Sequence, residues 1–436
     1  MAPRFLLLAL AWAFSAVPAF PQKAERTIVD VTAGYGFSPG SETTLKLGHW
    51  APIAVTVSSK GSDFRGEVRL ATPDGEGVLT RTVIPNVFVP EGAGKTTVVR
   101  GYVKFGRNAL DVDVELVEVD DDGKSLGVVD ARSFKLNDAP RRAYVVNQEE
   151  PLVVYHGGLP GLFEMEKAYK AKLDQNASRG IINGTPIPAR FRSESDMPKQ
   201  WYAYGGANVV VFSTYDEKLF DRLDPAQASA LRTWVRQGGD LVVTVAKNWQ
   251  TVSKSFLAPM LPATVVGAQE VPLSRVPVNA TLETFAGAGG AMALGANPNM
   301  NLVKLEGVRG KTIRSAGDQP LIVSGAYGLG RVTLIGFDPE DPPFRDWGGA
   351  GAFWLKVLAI PAMTDNSANF GWGRGGAIHR DIAARLHAKL EDFPEVTVVP
   401  FGWVAVLIFL YILLIGPVDY FFLKKVVKRL ELTWIT

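Results

Sequence analysis

The residues able to do chemistry are few and scattered. Cysteine is absent from all 436 residues, so thiol nucleophiles, thiolate zinc sites, iron–sulfur clusters and disulfides have nothing to be built from. Histidine stands at 49, 156, 379 and 387, with no HxxxH or HExxH pair, so no metal site is expected. His156 precedes Gly157 and Gly158, and a glycine pair lets backbone approach a ligand closely. The alternative for His156 is a plain turn residue. Ser213 closes the apolar run Val209–Phe212, where a nucleophile could sit, but no GxSxG surrounds it, and strand-end serines commonly act as caps. Asp338, Glu340 and Asp341 could chelate a hard cation, although prolines interleave them as in an ordinary acidic loop. GAYGLG lies between two strand-like runs and so is no dinucleotide loop, which must open a helix. No cofactor is expected.

These residues acquire meaning from the elements that present them. In open α/β sheets, ligands bind beyond the carboxyl ends of the strands. The strand ends here supply a candidate ligand site of His156, Gly157, Gly158, Ser213, Asp216, Lys247, Asn248 and Asp338, with no residue assigned a catalytic role. Asn208–Ser213 and LVVTV read as fully buried strands. Between them, Asp224-Pro225 signals a helix start, Leu231, Trp234 and Val235 share one face, and Gln237-Gly238-Gly239 signals its end. Strand, helix, strand is a crossover unit and implies parallel pairing.

Upstream, residues 27–136 read as seven short strands separated by turn clusters such as PDGEG and DDDGK, which suggests an immunoglobulin-like β-sandwich. Asp120–Asp122 reads as a solvated hairpin tip, since no calcium-loop pattern is present. Trp50 reads as a core residue. A net charge of +2 implies no nucleic-acid partner.

Both ends of the chain carry further signals. Residues 1–19 have an early arginine, an apolar run and a small-residue end, the pattern of a secretory signal peptide. Residues 397–423 contain no charge before Asp419 and are followed by Lys424, Lys425, Lys428 and Arg429. That pattern predicts a single transmembrane helix with residues 424–436 in the cytoplasm and the preceding domains outside the cytoplasmic membrane. Residues 362–396 combine a Gly-rich hinge with an amphipathic juxtamembrane helix carrying Ile378, Ile382, Leu386 and Leu390.

DPAQASALRTWVRQGGDLVV, PLIVSGAYGLGRVTLIGFDPEDPPFRDW and ILLIGPVDYFFLKKVVKRLELTWIT together resemble the membrane-anchored bacterial members of the class I glutamine amidotransferase-like superfamily. KLGHWAPIAVTV is similar to their N-terminal domain. The resemblance implies a multi-domain chain: the sandwich, a flavodoxin-like α/β domain with a mostly parallel sheet over residues 142–361, then the membrane helix. The superfamily's enzymes attack a glutamine amide with a cysteine that this chain lacks. The expected function is therefore a non-catalytic, membrane-anchored binding or assembly protein of the envelope, partnered by the membrane and by another protein. The alternative is an exported hydrolase of an envelope sugar or peptide, with a carboxylate/His site in the α/β domain.

Overall fold

The computed structural model describes residues 25–359, apart from 37–42, 61, 91, 93–94, 107–109, 137, 139–142, 148–149, 177–184, 288–289 and 295–298; it also describes 401–418, 420, 424 and 425. The chain divides into two compact units, Met1–Ser367 and Ala368–Thr436.

The first unit opens with strands β1 (Glu25–Ala33), β2 (Thr43–Lys46), β3 (Trp50–Lys60), β4 (Phe64–Pro73), β5 (Leu79–Val89), β6 (Lys95–Lys104), β7 (Asp111–Val119) and β8 (Ser125–Lys135). Alternate residues of β3 and β4 are buried, the period of a half-buried strand. Sheets β1-β3-β6 and β5-β4-β7-β8 share one core containing Ile28, Val55, Val57, Val68, Val114 and Leu116. The β7–β8 turn is closed by Asp120, whose Oδ1 accepts the backbone N–H groups of Asp122 and Lys124 at 3.1 and 2.7 Å.

Strand β9 (Ala143–Val146) pairs with β2, and then comes the larger part: β10 (Leu152–His156), α1 (Met165–Asn176), β11 (Ile187–Arg190), β12 (Val209–Ser213), α2 (Leu219–Arg222), α3 (Pro225–Arg236) and β13 (Asp240–Thr244). It continues with α4 (Trp249–Lys254), β14 (Thr264–Pro272), α5 (Val278–Ala286), β15 (Asn299–Glu306), β16 (Lys311–Ala316), β17 (Gln319–Tyr327), β18 (Gly330–Ile335) and α6 (Ala350–Val357). Seven strands form one sheet in the order β11-β10-β12-β13-β18-β17-β16. The pairs from β11 through β18 are parallel, and β18–β17 and β17–β16 are antiparallel. Every residue of β10 and β12 is buried. Val153, Val209 and Val211 pack toward α5 and α6 on one face, while Val154, Val210 and Phe212 pack toward α3 on the other.

Helix α3 shows why local sequence suffices for some elements. Asp224 caps it by accepting Ala226 N–H at 2.8 Å, Gln227 Oε1 in turn accepts the Asp224 N–H at 2.9 Å, and Pro225 takes the first helical position. Its apolar face buries Leu231, Trp234 and Val235.

The expected fold class needs correction. The described residues are mostly strands, eighteen in five sheets, with few and short helices, and they do not form a flavodoxin-like domain. Between residues 264 and 335, where a doubly wound fold would add parallel strands, β14 and β15 instead pair antiparallel across the connection that carries α5, and short turns build the antiparallel limb β16-β17-β18. The transmembrane helix is corrected as well. Helix α7 (Phe401–Leu413) gives way to a π-type segment at Leu414–Val418. Pro417 lacks an N–H, and in a regular α-helix its ring would collide with the carbonyl four residues back, that of Leu413, so the α-helical pattern gives way there. The described regular part, thirteen residues, is about 20 Å long against roughly 30 Å of hydrocarbon. Among the described residues no helix is long and apolar enough to cross a membrane, which overturns the expected single-pass membrane placement. The expected signal peptide, hinge and juxtamembrane helix lie outside the described residues, as do most of the 137–142 linker and the 424–436 tail.

The first sheets dock on the larger part through polar contacts that are individually satisfied. Lys46, only 4% exposed, donates from Nζ to the Glu150 carbonyl and to Asn208 Oδ1, each at 2.9 Å. Tyr35 donates to the Ala203 carbonyl at 2.6 Å, and Tyr102 accepts Lys199 N–H at 2.6 Å. Trp50 is half-buried at this junction and meets Tyr202 with ring centroids 5.2 Å apart, so it is a docking residue rather than part of the core. Lys46→Met keeps the stem but removes the charged donor, and is expected to lower stability by about 2 kcal/mol. Urea denaturation of the full chain measures this; an unchanged midpoint would mean that the buried ammonium is not holding the junction.

Candidate functional site

The carboxyl ends of β10, β11 and β12 open into a cavity of 390 Å³. His156, Gly157 and Gly158 reach it from β10, Arg190–Glu194 from β11, and Ser213, Tyr215 and Asp216 from β12. Arg222 at the end of α2 and Glu340 from the loop after β18 complete the lining.

An arginine organises one side. Arg222 ion-pairs with both Glu194 and Asp216, and its Nε donates to Glu194 Oε1 at 3.1 Å. Hydrogen bonding to Arg222 is the main reason that both carboxyls are held below their ordinary range; Asp216 also accepts Lys218 N–H at 3.0 Å. His156 Nε2 faces Glu194 Oε1 at 3.5 Å, and its ring lies against Phe212. Burial pushes the His156 pKa down, with the neighbouring Glu194 opposing that shift. The ring is therefore neutral at pH 7, and its stabilising neutral form is present above the ordinary histidine pKa and lost as pH falls below it.

On the other side, Glu340 Oε1 accepts Ser213 Oγ–H at 2.6 Å and Gly158 N–H at 3.2 Å. Ser213 Oγ also accepts Tyr215 N–H at 3.2 Å, so the serine links the β12 end to Glu340.

Five expected residues thus line the cavity: His156, Gly157, Gly158, Ser213 and Asp216. Three do not. Asn248 is buried and donates to the carbonyls of Thr214 and Tyr215 at 2.9 and 2.7 Å, fixing the turn that carries Asp216. Lys247 lays its ammonium 3.1 Å from the Tyr215 ring centroid. Asp338 is 2% exposed and accepts Lys247 N–H at 3.1 Å, while its Oδ1 has no partner among the described residues. The three acids 338, 340 and 341 diverge rather than converge, since Asp341 accepts the Tyr215 hydroxyl at 2.9 Å. Among the described residues no group of three or more candidate ligands is placed to hold a metal ion.

Glu194, Arg190 and Arg222 escaped sequence reasoning. Glu194 lies 28 residues from Arg222, and nothing local marks either as a partner of the other. Glu340 was visible only as a member of the acidic loop.

Residues 28–136 match a family described as a domain of unknown function, DUF8726, which covers less than half of the chain. No curated protein matches it. Among solved structures, Cytoplasmic Protein STM1381 from Salmonella typhimurium LT2 is 17% identical, with 48% of this chain and 98% of that one covered at a TM-score of 0.31. A ThuA-like protein from Parabacteroides merdae ATCC 43184 is 11% identical, with 48% and 89% covered at 0.27. Gan42B, a GH42 beta-galactosidase, is 11% identical, with 49% and 30% covered at 0.25. The resemblance to the glutamine amidotransferase-like superfamily is met only as low-identity likeness to ThuA-like proteins; membrane anchoring finds no support. At these TM-scores the likenesses carry no argument about activity.

Asp338 offers a test of the site's electrostatics. Burial is the largest cause lifting its pKa from 3.8 to about 6. A carboxyl raised in the fold costs nothing below its unfolded pKa, and progressively destabilises as pH rises through the folded value. The penalty at alkaline pH is at most about 3 kcal/mol. Asp338→Asn is therefore expected to be more stable than wild type at pH 8, by about 1–3 kcal/mol, with the gain vanishing near pH 4. Paired thermal melts across that range check it, and a gain independent of pH would refute the assignment.

Proposed function

We propose that the cleft at the ends of β10, β11 and β12 binds a small polar ligand without turning it over. The observation that carries this reading is the Arg222 clamp. It holds Glu194 and Asp216 as carboxylates, suited to accept hydrogen bonds from a ligand and unsuited to give up a proton. The carboxyl whose pKa is raised, Asp338, lies outside the cavity lining and is buried against the Lys247 backbone. Acid–base hydrolysis needs a protonated group in the pocket with the substrate. Glycines at 157 and 158 and balanced charge along the walls suit recognition of a polar molecule.

A second reading, hydrolysis of a sugar or peptide bond, rests on His156 facing Glu194 across 3.5 Å, where the histidine could serve as a base. One experiment separates the two. The full chain is screened by thermal shift against a panel of polyols, short peptides and small carboxylic acids, and in parallel against chromogenic glycosides and peptide substrates. The binding reading expects a stabilising compound whose affinity drops about tenfold or more in Arg222→Met, with no turnover. Turnover by wild type that disappears in Glu194→Gln would establish hydrolysis instead.

A further inference from the structure

We infer that Gly157, Gly158 and Ser213 form a seat for the carboxylate of an external ligand, and that Glu340 of the same chain occupies that seat. The inference rests on the cleft being a ligand site, as proposed above. Its core is a pair of donors on one oxygen. Gly158 N–H and Ser213 Oγ–H converge on Glu340 Oε1 from the ends of two different strands, at 3.2 and 2.6 Å. Backbone N–H and hydroxyl donors aimed at one carboxylate oxygen are the usual elements of an anion site.

The surrounding shape is made for oxygen atoms. Gly157 has φ +106°, a conformation that side chains rarely adopt, and a Cβ there would stand 2.5 Å from Ser213 Cβ and 3.1 Å from Glu340 Oε1. A Cβ on Gly158 would stand 2.9 Å from Glu340 Oε2. The glycine pair thus leaves the space that the carboxylate fills. Ser213 is itself almost wholly buried, so its hydroxyl is committed to this spot rather than to solvent. Arg190 lines the same cavity with no ion-pair partner among the described residues, whereas the charge of Arg222 is shared between two carboxylates.

Glu340 reaches the seat from a loop 127 residues after Ser213 and is only half-buried. It belongs to neither strand that makes the seat. An intramolecular carboxylate held by two hydrogen bonds behaves as a tethered competitor: an external carboxylate must displace it, and its removal should reveal the intrinsic affinity of the seat. The adjoining 390 Å³ leaves room for the rest of a ligand beside its carboxylate. The chemical class is then a small carboxylic acid rather than a neutral polyol.

The test uses the full chain and acetate, with phosphate as a second probe and chloride at matched ionic strength as the control. Concentration-dependent thermal unfolding reads binding. In Glu340→Ala, acetate is expected to bind about tenfold or more tightly than in wild type, and adding Ser213→Ala should reverse the gain. Glu340→Gln, which keeps the side-chain shape without the charge, is expected to fall between, and carries the comparison if the alanine variant does not fold. A stronger response to phosphate than to acetate would overturn the carboxylate assignment. Equal acetate responses in wild type and the Glu340 variants, or a gain that survives Ser213→Ala, would overturn the seat itself. If the seat fails while a panel compound still binds in an Arg222-dependent way, only this inference falls. If neither binds, the ligand-site reading falls with it.

Discussion

Strands β10 and β12 have water on neither face, and this one constraint decides where polar chemistry can stand. Every backbone group in such strands is satisfied by its neighbours, and every side chain along them must be apolar or partnered. Polarity is therefore pushed to the strand ends. His156 and Ser213 are the last residues of β10 and β12, and the parallel register β10–β12 brings the two ends to the same edge. The cavity begins where the apolar runs stop.

What the edge presents is then a matter of pairing. Arg222 draws Glu194 and Asp216 together, and Ser213 and Gly158 hold Glu340. These pairs are partly exposed, so their electrostatic contribution to stability is modest. Their effect is on protonation and position: carboxylates fixed as acceptors, beside a histidine that burial keeps neutral. Asp338 shows the opposite case, a carboxyl whose burial exceeds its compensation. Its place behind Lys247 makes it part of the support of the site rather than of its surface.

The segment from Phe191 to Tyr204 connects this edge to the N-terminal sheets. Glu194 faces the cavity, while Asp196 meets Arg100 of β6 at 3.5 Å and Tyr202 packs edge-on to Tyr102 and tilted against Trp50. Gln227 of α3 donates to the carbonyls of Glu194 and Met197, each at 2.7 Å, and so ties the segment to the helix that follows Arg222. The position of Glu194 is thus set by three elements distant in sequence.

By itself the sequence determined the short-range features. Asp224-Pro225 and Gln237-Gly238-Gly239 bound α3 because capping and left-handed turns act within a few residues. The unbroken apolar runs at 209–212 and 241–243 could only be buried strands, and the helix between them implied their parallel pairing. Tertiary structure alone decided three things. It set the course of residues 264–316, where strand runs look alike whether they pair antiparallel or enter a parallel sheet; register and partner are long-range choices. The change from regular helix to π-type turn within 401–418 turned on how the backbone accommodates Pro417. The cavity's ionic contacts also arose only in three dimensions, because Glu194, Arg222 and Glu340 carry no local mark of one another. Charge recognition depends on distance in space, and the chain's folding fixes that distance between residues that are remote along it.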